Sequence, residues 1–262
     1  MLKNIYAPLS GGVGQERVME IIANNLANTN TVGYKEEQIT FQSMDSNPWN
    51  SYSSVLPPAP FKMDMKELYP LRGNEMAYVA VSDVRTSLVQ GGLQKTGNPL
   101  DLAIQGNGMF VVNTPFGERY TRDGSFSLTP DGVLVTKNGA LVQGENGAIA
   151  GLKEGDVQIL PSGEVFLGDR FVDKIKTVAF NDTKSVQKLG DNLFVHDGPP
   201  DNIIAPTGEV TQGYLESSNV NPMRNLTNMI VAHRSYEALQ KAVKTHDETL
   251  QLSSSKVGNV DG

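Results

Sequence analysis

Two glycine-rich stretches are the first places where this sequence could bind a phosphate group. Residues 10 to 16 read SGGVGQE, and residues 105 to 110 read QGNGMF. A phosphate-binding loop needs a preceding strand and a Lys-Ser/Thr pair after its last glycine, and the first stretch has neither. The second stretch runs into an apolar β-type segment, where a dinucleotide-binding turn would open a helix. We therefore interpret these glycines as turn and hinge residues.

The titratable residues form no catalytic or metal-binding pattern either. The sequence has three histidines, His196, His233 and His246, and no cysteine. The last two lie on one predicted helix at a separation of roughly 20 Å, which is too far to share a metal ion. Carboxylates are scattered, and no GxSxG nucleophile motif occurs. We predict a protein that is not an enzyme and that uses no cofactor or metal.

Asparagine is the residue type with the most unusual placement. The stretch IIANNLANTNTVGYK, residues 21 to 35, puts Asn24 and Asn28 on one helix face, with Asn25 beside them. A second cluster follows residue 218 and contains Asn219, Asn221, Asn225 and Asn228. Because a buried amide without a partner is costly, such residues in a helical seam fix its register. We predict a register-setting interface at Asn24, Asn28, Asn225 and Asn228. The alternative is helix capping, for which Asn221 and Asn30 are placed.

Helical periodicity occurs at the two ends of the chain. Near the N-terminus, Val18, Ile22 and Leu26 repeat at every fourth position. Pro8 and the glycines that follow it weaken the first turns, so we predict continuous helix from about residue 15, ending near Gly33.

The C-terminal helix has the clearer pattern. Asn221 and Pro222 are typical of an N-cap and a first helical residue. A seam with a period of 3.5 follows, of the kind that packs helices side by side. Its members are Met229, Ala232, Tyr236, Leu239, Val243, His246 and Leu250.

Between the ends the period changes to two, which indicates β-strands. Short alternating runs are separated by turn dipeptides that favour type I′ hairpins. These are Asn107-Gly108, Asp123-Gly124, Asp131-Gly132, Asn138-Gly139 and Asn146-Gly147. The predicted fold class is α+β, with a mainly-β central domain (a meander-like sheet) and terminal helices paired as a coiled-coil-like helical domain. The predicted divisions are residues 1–40, 41–75, 76–215 and 216–262.

Residues 43 to 62 are rich in proline and serine and contain Trp49, the only tryptophan, and Tyr52. We predict an extended segment that orders against a neighbouring molecule, because large aromatic side chains are enriched in interface cores. A flexible linker is the alternative.

Charge and hydropathy limit the partners of this chain of 262 residues. Its formal net charge is −7 and no basic cluster offsets it, which argues against binding to nucleic acid or an anionic membrane. It has no apolar run of about 18 residues, and its first residues lack the apolar core of a secretory signal. We expect no insertion into a membrane and no cleaved signal peptide.

Four stretches resemble bacterial flagellar basal-body rod proteins of the FlgF/FlgG type, a family similar also to the hook protein. They are IIANNLANTNTVGYK (21 to 35), GGLQKTGNPLDLAIQGNGMFVV (91 to 112), YTRDGSFSL (120 to 128) and QGYLESSNVNPMRNLTNMIVAHRSYEALQKAV (212 to 243). The resemblance implies a subunit of the rod, the drive shaft that transmits torque to hook and filament. It implies self-assembly, contact with other rod and hook proteins, and unfolded export through the flagellar type III apparatus to a rod that spans the periplasm.

The resemblance also implies positions. Terminal helices would form an inner tube, lined by Asn24, Asn25, Leu26, Ala27 and Asn28, with Asn219, Asn221, Met229 and Tyr236 opposite. The full predicted assembly interface is Val18, Ile22, Asn24, Asn25, Leu26, Asn28, Asn219, Asn221, Asn225, Asn228, Met229, Tyr236, Leu239, Val243 and Leu250.

Three departures from the family pattern occur: tyrosine at residue 34 and methionine at residue 109 where phenylalanine is expected, Pro8 with its following glycines, and no glycine-rich insertion between residues 45 and 75. The last favours the proximal, FlgF-like rod protein. The alternatives are a distal, FlgG-like subunit and, from another class, an extracellular β-rich adhesin or carbohydrate-binding module dimerised by its helices.

Overall fold

A computed structural model describes the backbone of residues 6–45, 77–153 and 157–257. The predicted neighbour contacts Trp49 and Tyr52 lie outside the described residues. Two compact units can be separated, one of residues 1–21, 39–84 and 227–262 and one of residues 22–38 and 85–226. We call them the helical unit and the β unit. The four-segment division predicted from the sequence stays a prediction.

The described helices are α1 (Tyr6–Ala27) and α2 (Pro222–Val257), and the residues between them are mainly strands. The predicted α+β class with a mainly-β centre is therefore confirmed. The capping prediction is also confirmed, because α2 begins at Pro222 and the Oδ1 atom of Asn221 accepts the Arg224 N–H at 3.1 Å. This bond satisfies one of the amide donors that a helix N-terminus leaves without a partner.

The predicted start of α1 near residue 15 was wrong, because the helix begins at Tyr6. Pro8 lies in the first turn, where a backbone N–H group has no intrahelical acceptor. The missing N–H of proline therefore costs no helical hydrogen bond there. The glycines are helix residues that face other side chains, not turns or hinges. A Cβ atom placed on Gly11 would lie 3.3 Å from Leu239 Cδ1, and one on Gly14 would lie 3.1 Å from Phe41 Cε1. Close approach within the helical unit thus offsets the low helix propensity of glycine.

The strands are short and mostly antiparallel. Their bounds are β1 (Glu37–Asp45), β2 (Ala77–Thr86), β3 (Leu93–Lys95), β4 (Leu102–Gln105), β5 (Met109–Thr114), β6 (Gly117–Thr121), β7 (Phe126–Leu128), β8 (Leu134–Thr136), β9 (Leu141–Gly144), β10 (Gly147–Ala148), β11 (Val157–Ile159), β12 (Glu164–Leu167), β13 (Arg170–Lys174), β14 (Thr177–Phe180), β15 (Val186–Gly190), β16 (Leu193–His196), β17 (Ile203–Ile204), β18 (Glu209–Gln212) and β19 (Tyr214–Glu216).

The largest sheet of the β unit runs in the order β15-β16-β6-β5-β9-β8-β7, with β10 beside β9 and β14 bridging β5 and β17. Smaller sheets pair β11-β12-β13, β18 with β4, and β19 with β3. Strand β5 is apolar without alternation because both of its faces are covered. Phe110 and Val112 belong to one buried cluster, while Met109 and Val111 belong to another.

Asp131-Gly132, Asn138-Gly139 and Asn146-Gly147 lie at turns, but the predicted type I′ geometry was wrong at all five dipeptides, because none of their first residues has a positive φ. At Asn138-Gly139 only the glycine has a positive φ, 80°, and type I′ needs two such residues. The two-residue turn with both φ values positive joins β15 to β16 at Asp191 (51°) and Asn192 (56°).

Asp123-Gly124 is not a hairpin turn at all. A Cβ atom on Gly124 would overlap the Leu102 carbonyl oxygen. Gly124 is therefore required by the close approach of two backbone segments, which the dipeptide pattern does not reveal.

Candidate assembly surface

The seam of α2 has a distinct exposure pattern. From residue 226 to residue 249, the positions that are buried or half-buried are Met229, Ala232, Ser235, Tyr236, Leu239, Val243 and His246. Apart from Ser235, these are the residues of the period-3.5 seam; Leu250 belongs to it too, but its side chain lies outside the described residues. The remaining positions of this stretch are exposed. The predicted seam therefore coincides with one continuous side of the helix.

Part of this seam contacts α1 within the helical unit. Leu239 lies beside Gly11, and the ring of Tyr236 comes within 4.0 Å of a Cβ position on Gly12. Small residues on α1 thus leave room for large seam residues on α2. Sequence analysis missed this role, although a glycine pair inside a helical period is the signal that could have indicated it.

A second side of α2 is apolar and exposed. Within the helical unit, Ile230 and Val231 are 56% and 58% exposed. Helices of soluble proteins usually place charged or polar residues on the side that faces water. An apolar stripe in that position is typical of a surface that another protein covers.

The N-terminal asparagine cluster is bonded within the β unit. Asn25 is buried; its Nδ2 donates to the Glu37 carbonyl at 2.8 Å and its Oδ1 accepts the Glu37 N–H at 3.0 Å. The Tyr34 hydroxyl donates to the Oδ1 atoms of Asn24 (2.8 Å) and Asn25 (3.0 Å). Asn28 Nδ2 donates to the Asn24 carbonyl at 2.9 Å. The cluster thus fixes the chain where it leaves α1 for β1.

The C-terminal asparagine cluster forms hydrogen bonds to Glu36, the residue that precedes Glu37. Asn219 Oδ1 accepts the Glu36 N–H at 2.7 Å, and its Nδ2 donates to the Val89 carbonyl at 3.0 Å. Asn225, which is buried, donates from Nδ2 to Glu36 Oε1 at 3.0 Å. The two clusters therefore hold adjacent residues, Glu36 and Glu37, and do not bond to each other among the side chains described. Asn228, by contrast, is exposed on α2.

A buried ion cluster lies beside the asparagines, and sequence analysis did not predict it. Lys35 Nζ lies 2.6 Å from Glu216 Oε1, and Arg122 Nη1 lies 3.0 Å from Glu216 Oε2. The three side chains are at most 4% exposed. Two backbone groups also bond to this cluster. The Gly91 N–H donates to Glu216 Oε1, and Lys35 donates to the Val89 carbonyl, both at 2.8 Å.

Burial shifts the pKa values of Lys35, Arg122 and Tyr34. Desolvation lowers the pKa of Lys35 and of Arg122, and the Glu216 carboxylate opposes both shifts. Desolvation and, after it, the Glu37 carboxylate raise the pKa of Tyr34. The Lys188 ammonium lies 3.5 Å from the centre of the Tyr34 ring, where cation and ring attract each other.

Among the described residues, no group of three His, Asp or Glu side chains is placed to hold a metal ion. In the same part of the chain, no helix is long and apolar enough to cross a membrane. His196 stacks on Phe180 with ring centres 5.2 Å apart, and His233 lies 3.6 Å from Glu237 on α2.

Three family profiles match separate parts of the chain. They are flagella basal body rod protein (residues 13–35), flagellar hook protein FlgE/F/G D1 domain (residues 103–167) and flagellar basal body rod FlgEFG protein C-terminal (residues 211–255). Two of these ranges contain the asparagine clusters, and the first and last cover most of α1 and α2.

Full-length relatives carry two names. The chain is 34% identical to the flagellar basal-body rod protein FlgF of Caulobacter vibrioides, over 97% of this chain and 96% of the relative. It is 33% identical to the rod protein FlgG of Buchnera aphidicola subsp. Baizongia pistaciae, over 97% and 99%. It is also 33% identical to FlgG of Caulobacter vibrioides, over 94% and 95%. Proteins of both names are thus similar to it at nearly the same level.

Proposed function

The chain belongs to the flagellar basal-body rod protein family, and we propose that it builds the rod by associating with copies of itself and with other rod or hook proteins through its terminal helices. In this proposal α1 and α2 pair as a coiled-coil-like domain, and many such domains pack into the tube that transmits torque. The protein acts as a structural element and not as an enzyme.

One observation carries this proposal: α2 has two apolar sides. The seam side contacts α1 at Gly11 and Gly12, while the side of Ile230 and Val231 is exposed. The exposed side, at Ile230 and Val231, can therefore be covered by a neighbouring molecule. Burial of apolar area is the main favourable term in most protein association.

The proposed interface keeps the residues predicted from the sequence. We assign to it Val18, Ile22, Asn24, Asn25, Leu26, Asn28, Asn219, Asn221, Asn225, Asn228, Met229, Tyr236, Leu239, Val243 and Leu250. The asparagines that bond to Glu36 and Glu37 act indirectly, because they hold the end of α1 and the beginning of α2 against these residues. Asn228, by contrast, is exposed and can contact a neighbour.

We further propose the proximal, FlgF-like position in the rod. The alignment with FlgF of Caulobacter vibrioides extends over 255 residues, and that with FlgG of Buchnera aphidicola extends over 272, although each covers 97% of this chain. The FlgG relative therefore carries additional residues that this chain lacks. Export in an unfolded state through the type III apparatus, without a cleaved signal, belongs to the same proposal.

Assembly is tested by comparing Ile230→Asp with Gln240→Asp. Ile230 lies on the exposed apolar side of α2, whereas Gln240 is an exposed polar residue of the same helix. We expect the Ile230 variant to stay soluble at concentrations where the Gln240 variant and the unaltered chain form sedimenting rods. Circular dichroism checks that both variants stay folded. Rods of the Ile230 variant that form at the normal concentration would contradict the proposal.

Position in the rod is tested in Caulobacter vibrioides, which has relatives of both names. The chain is expressed in cells that lack their FlgF and, separately, in cells that lack their FlgG. We expect swimming to be restored in the first strain only. Restoration only in the second strain would assign the chain to the distal rod.

A further inference from the structure

The hairpin of β5 and β6 presents one large aromatic side chain to solvent. Phe116 lies at its tip and is 85% exposed. The tip is well ordered by its own bonds, because Thr114 Oγ1 donates to the Gly117 carbonyl at 2.9 Å and accepts the Phe116 N–H at 3.3 Å. An aromatic residue held in a fixed position loses little conformational entropy on binding, which suits it to be an interface anchor.

The β unit also has a groove of about 750 Å³ that is lined by both apolar and charged residues. Its lining includes Pro161, Ile175, Val178, Ile203, Ile204 and Pro206. Ile204 is 41% exposed in it. A second cavity of the same unit, of about 660 Å³, has a more polar lining, which includes Asn24, Asn28 and Lys188.

Charges on the tip and in the groove are complementary. Arg119 Nη1 would lie 3.7 Å from a Cβ atom on Gly117, which places the guanidinium beside the tip. The groove carries the carboxylate of Glu209, which has no ion pair among the described residues. The two lysines of the groove are already paired, Lys174 with Glu145 and Lys176 with Glu118. The remaining charge of the groove is thus opposite to that of the tip.

We propose that the Phe116 tip of one copy binds in the groove at Ile204 of a neighbouring copy, with Arg119 facing Glu209. The inference rests on the proposed function, because it requires copies packed side by side. Within one copy Phe116 is not in the groove, since it is almost fully exposed. A contact between two different surfaces is heterologous, and it builds a helical filament, as a rod requires, when its rotation does not close into a ring. It adds a link between β units to the one made by the helices.

Cysteine cross-linking tests this contact in the full chain, which has no cysteine of its own. Phe116→Cys and Ile204→Cys proteins are mixed, assembled, oxidised and separated by size under denaturing conditions. Two cysteines form a disulfide only when their Cα atoms come within about 7 Å. The matched control replaces the first partner with Phe171→Cys, because Phe171 is another aromatic residue, 50% exposed and outside the groove.

We expect a covalent dimer from the Phe116 and Ile204 pair, severalfold above the Phe171 and Ile204 pair. Rods that sediment normally without this excess would overturn the tip contact and leave the proposed function intact. Failure of the unaltered chain to assemble would count against both.

A charge exchange provides the second measurement. Arg119→Glu should raise the concentration needed for assembly, and adding Glu209→Arg should restore it, as expected for residues that interact directly. If the double variant is no better than the single one, Arg119 does not face Glu209.

Discussion

The ammonium group of Lys35 lies 2.6 Å from the carboxylate of Glu216, with both side chains 1% exposed. Lys35 follows the exit of α1, and Glu216 ends the last strand before α2. This buried ion pair therefore joins the segment that follows α1 to the strand that precedes α2. Arg122, on the chain after β6, adds the second cation and connects both segments to the end of that strand.

Replacing Glu216 with Gln should be strongly destabilising. It would leave two buried cations with no carboxylate, and removing one partner of a buried ion pair costs about 3–5 kcal/mol. Chemical denaturation of the purified protein measures the effect. Glu118→Gln is the control, because the ion pair of Glu118 with Lys176 is exposed and such pairs contribute about 0–1 kcal/mol. Equal stability of the two variants would show that the buried cluster has no special role.

Asn25→Ala should destabilise the β unit without any assembly being present. The change removes the acceptor of the Glu37 N–H and one acceptor of the Tyr34 hydroxyl, both in a buried site. We expect a loss of about 1–3 kcal/mol in the free energy of unfolding. Asn30→Ala, at an exposed position, should stay within about 0.5 kcal/mol of the unaltered chain. A loss at Asn30 as large as that at Asn25 would contradict the bonding scheme.

Asn228→Leu should behave in the opposite way. Because its amide is exposed on α2, the stability of the separate molecule should change by less than about 0.5 kcal/mol. The assembled rods should lose regular order, since a polar residue in a helical interface specifies register at a cost in stability. Electron microscopy of the rods measures this. Rods as regular as those of the unaltered chain would show that Asn228 faces solvent in the rod and does not set the register.

Tyr34 should make the protein sensitive to alkali. Burial raises its folded-state pKa above the unfolded value of about 10, so above that pH the unfolded chain loses the proton first. The folded state then binds more protons, and stability falls as pH rises. The contribution is fully present below about pH 10 and is lost above it. In Tyr34→Phe this loss should be absent, so the difference in unfolding free energy between the two proteins should shrink with rising pH. A constant difference would contradict this.

Features that depend on local sequence were predicted well. The N-cap at Asn221, the long α2 and the β-type centre each follow from neighbouring residues, and the structure has all three. The resemblance seen in the asparagine-rich stretches was likewise confirmed by relatives over nearly the whole chain.

Features that depend on tertiary contacts were not predicted from the sequence. Lys35, Arg122 and Glu216 are far apart in the sequence, and no local pattern indicates that they meet in one buried site. Gly11 weakens a helix by propensity, and only the neighbouring Leu239 explains why a glycine stands there. The same holds for Asn25, whose partner Glu37 lies in the next element.

Hydrogen exchange resolved along the chain, in dilute protein and in assembled rods, tests the central claim most directly. Assembly through the terminal helices predicts that the amides of α2 between residues 227 and 249, in the helical unit, exchange rapidly in the dilute protein and become protected in the rods. Those of β4 and β5, which lie in the buried core, should be protected in both. Full protection of α2 in the dilute protein, unchanged on assembly, would mean that a single chain already stabilises the helix, and it would contradict the account.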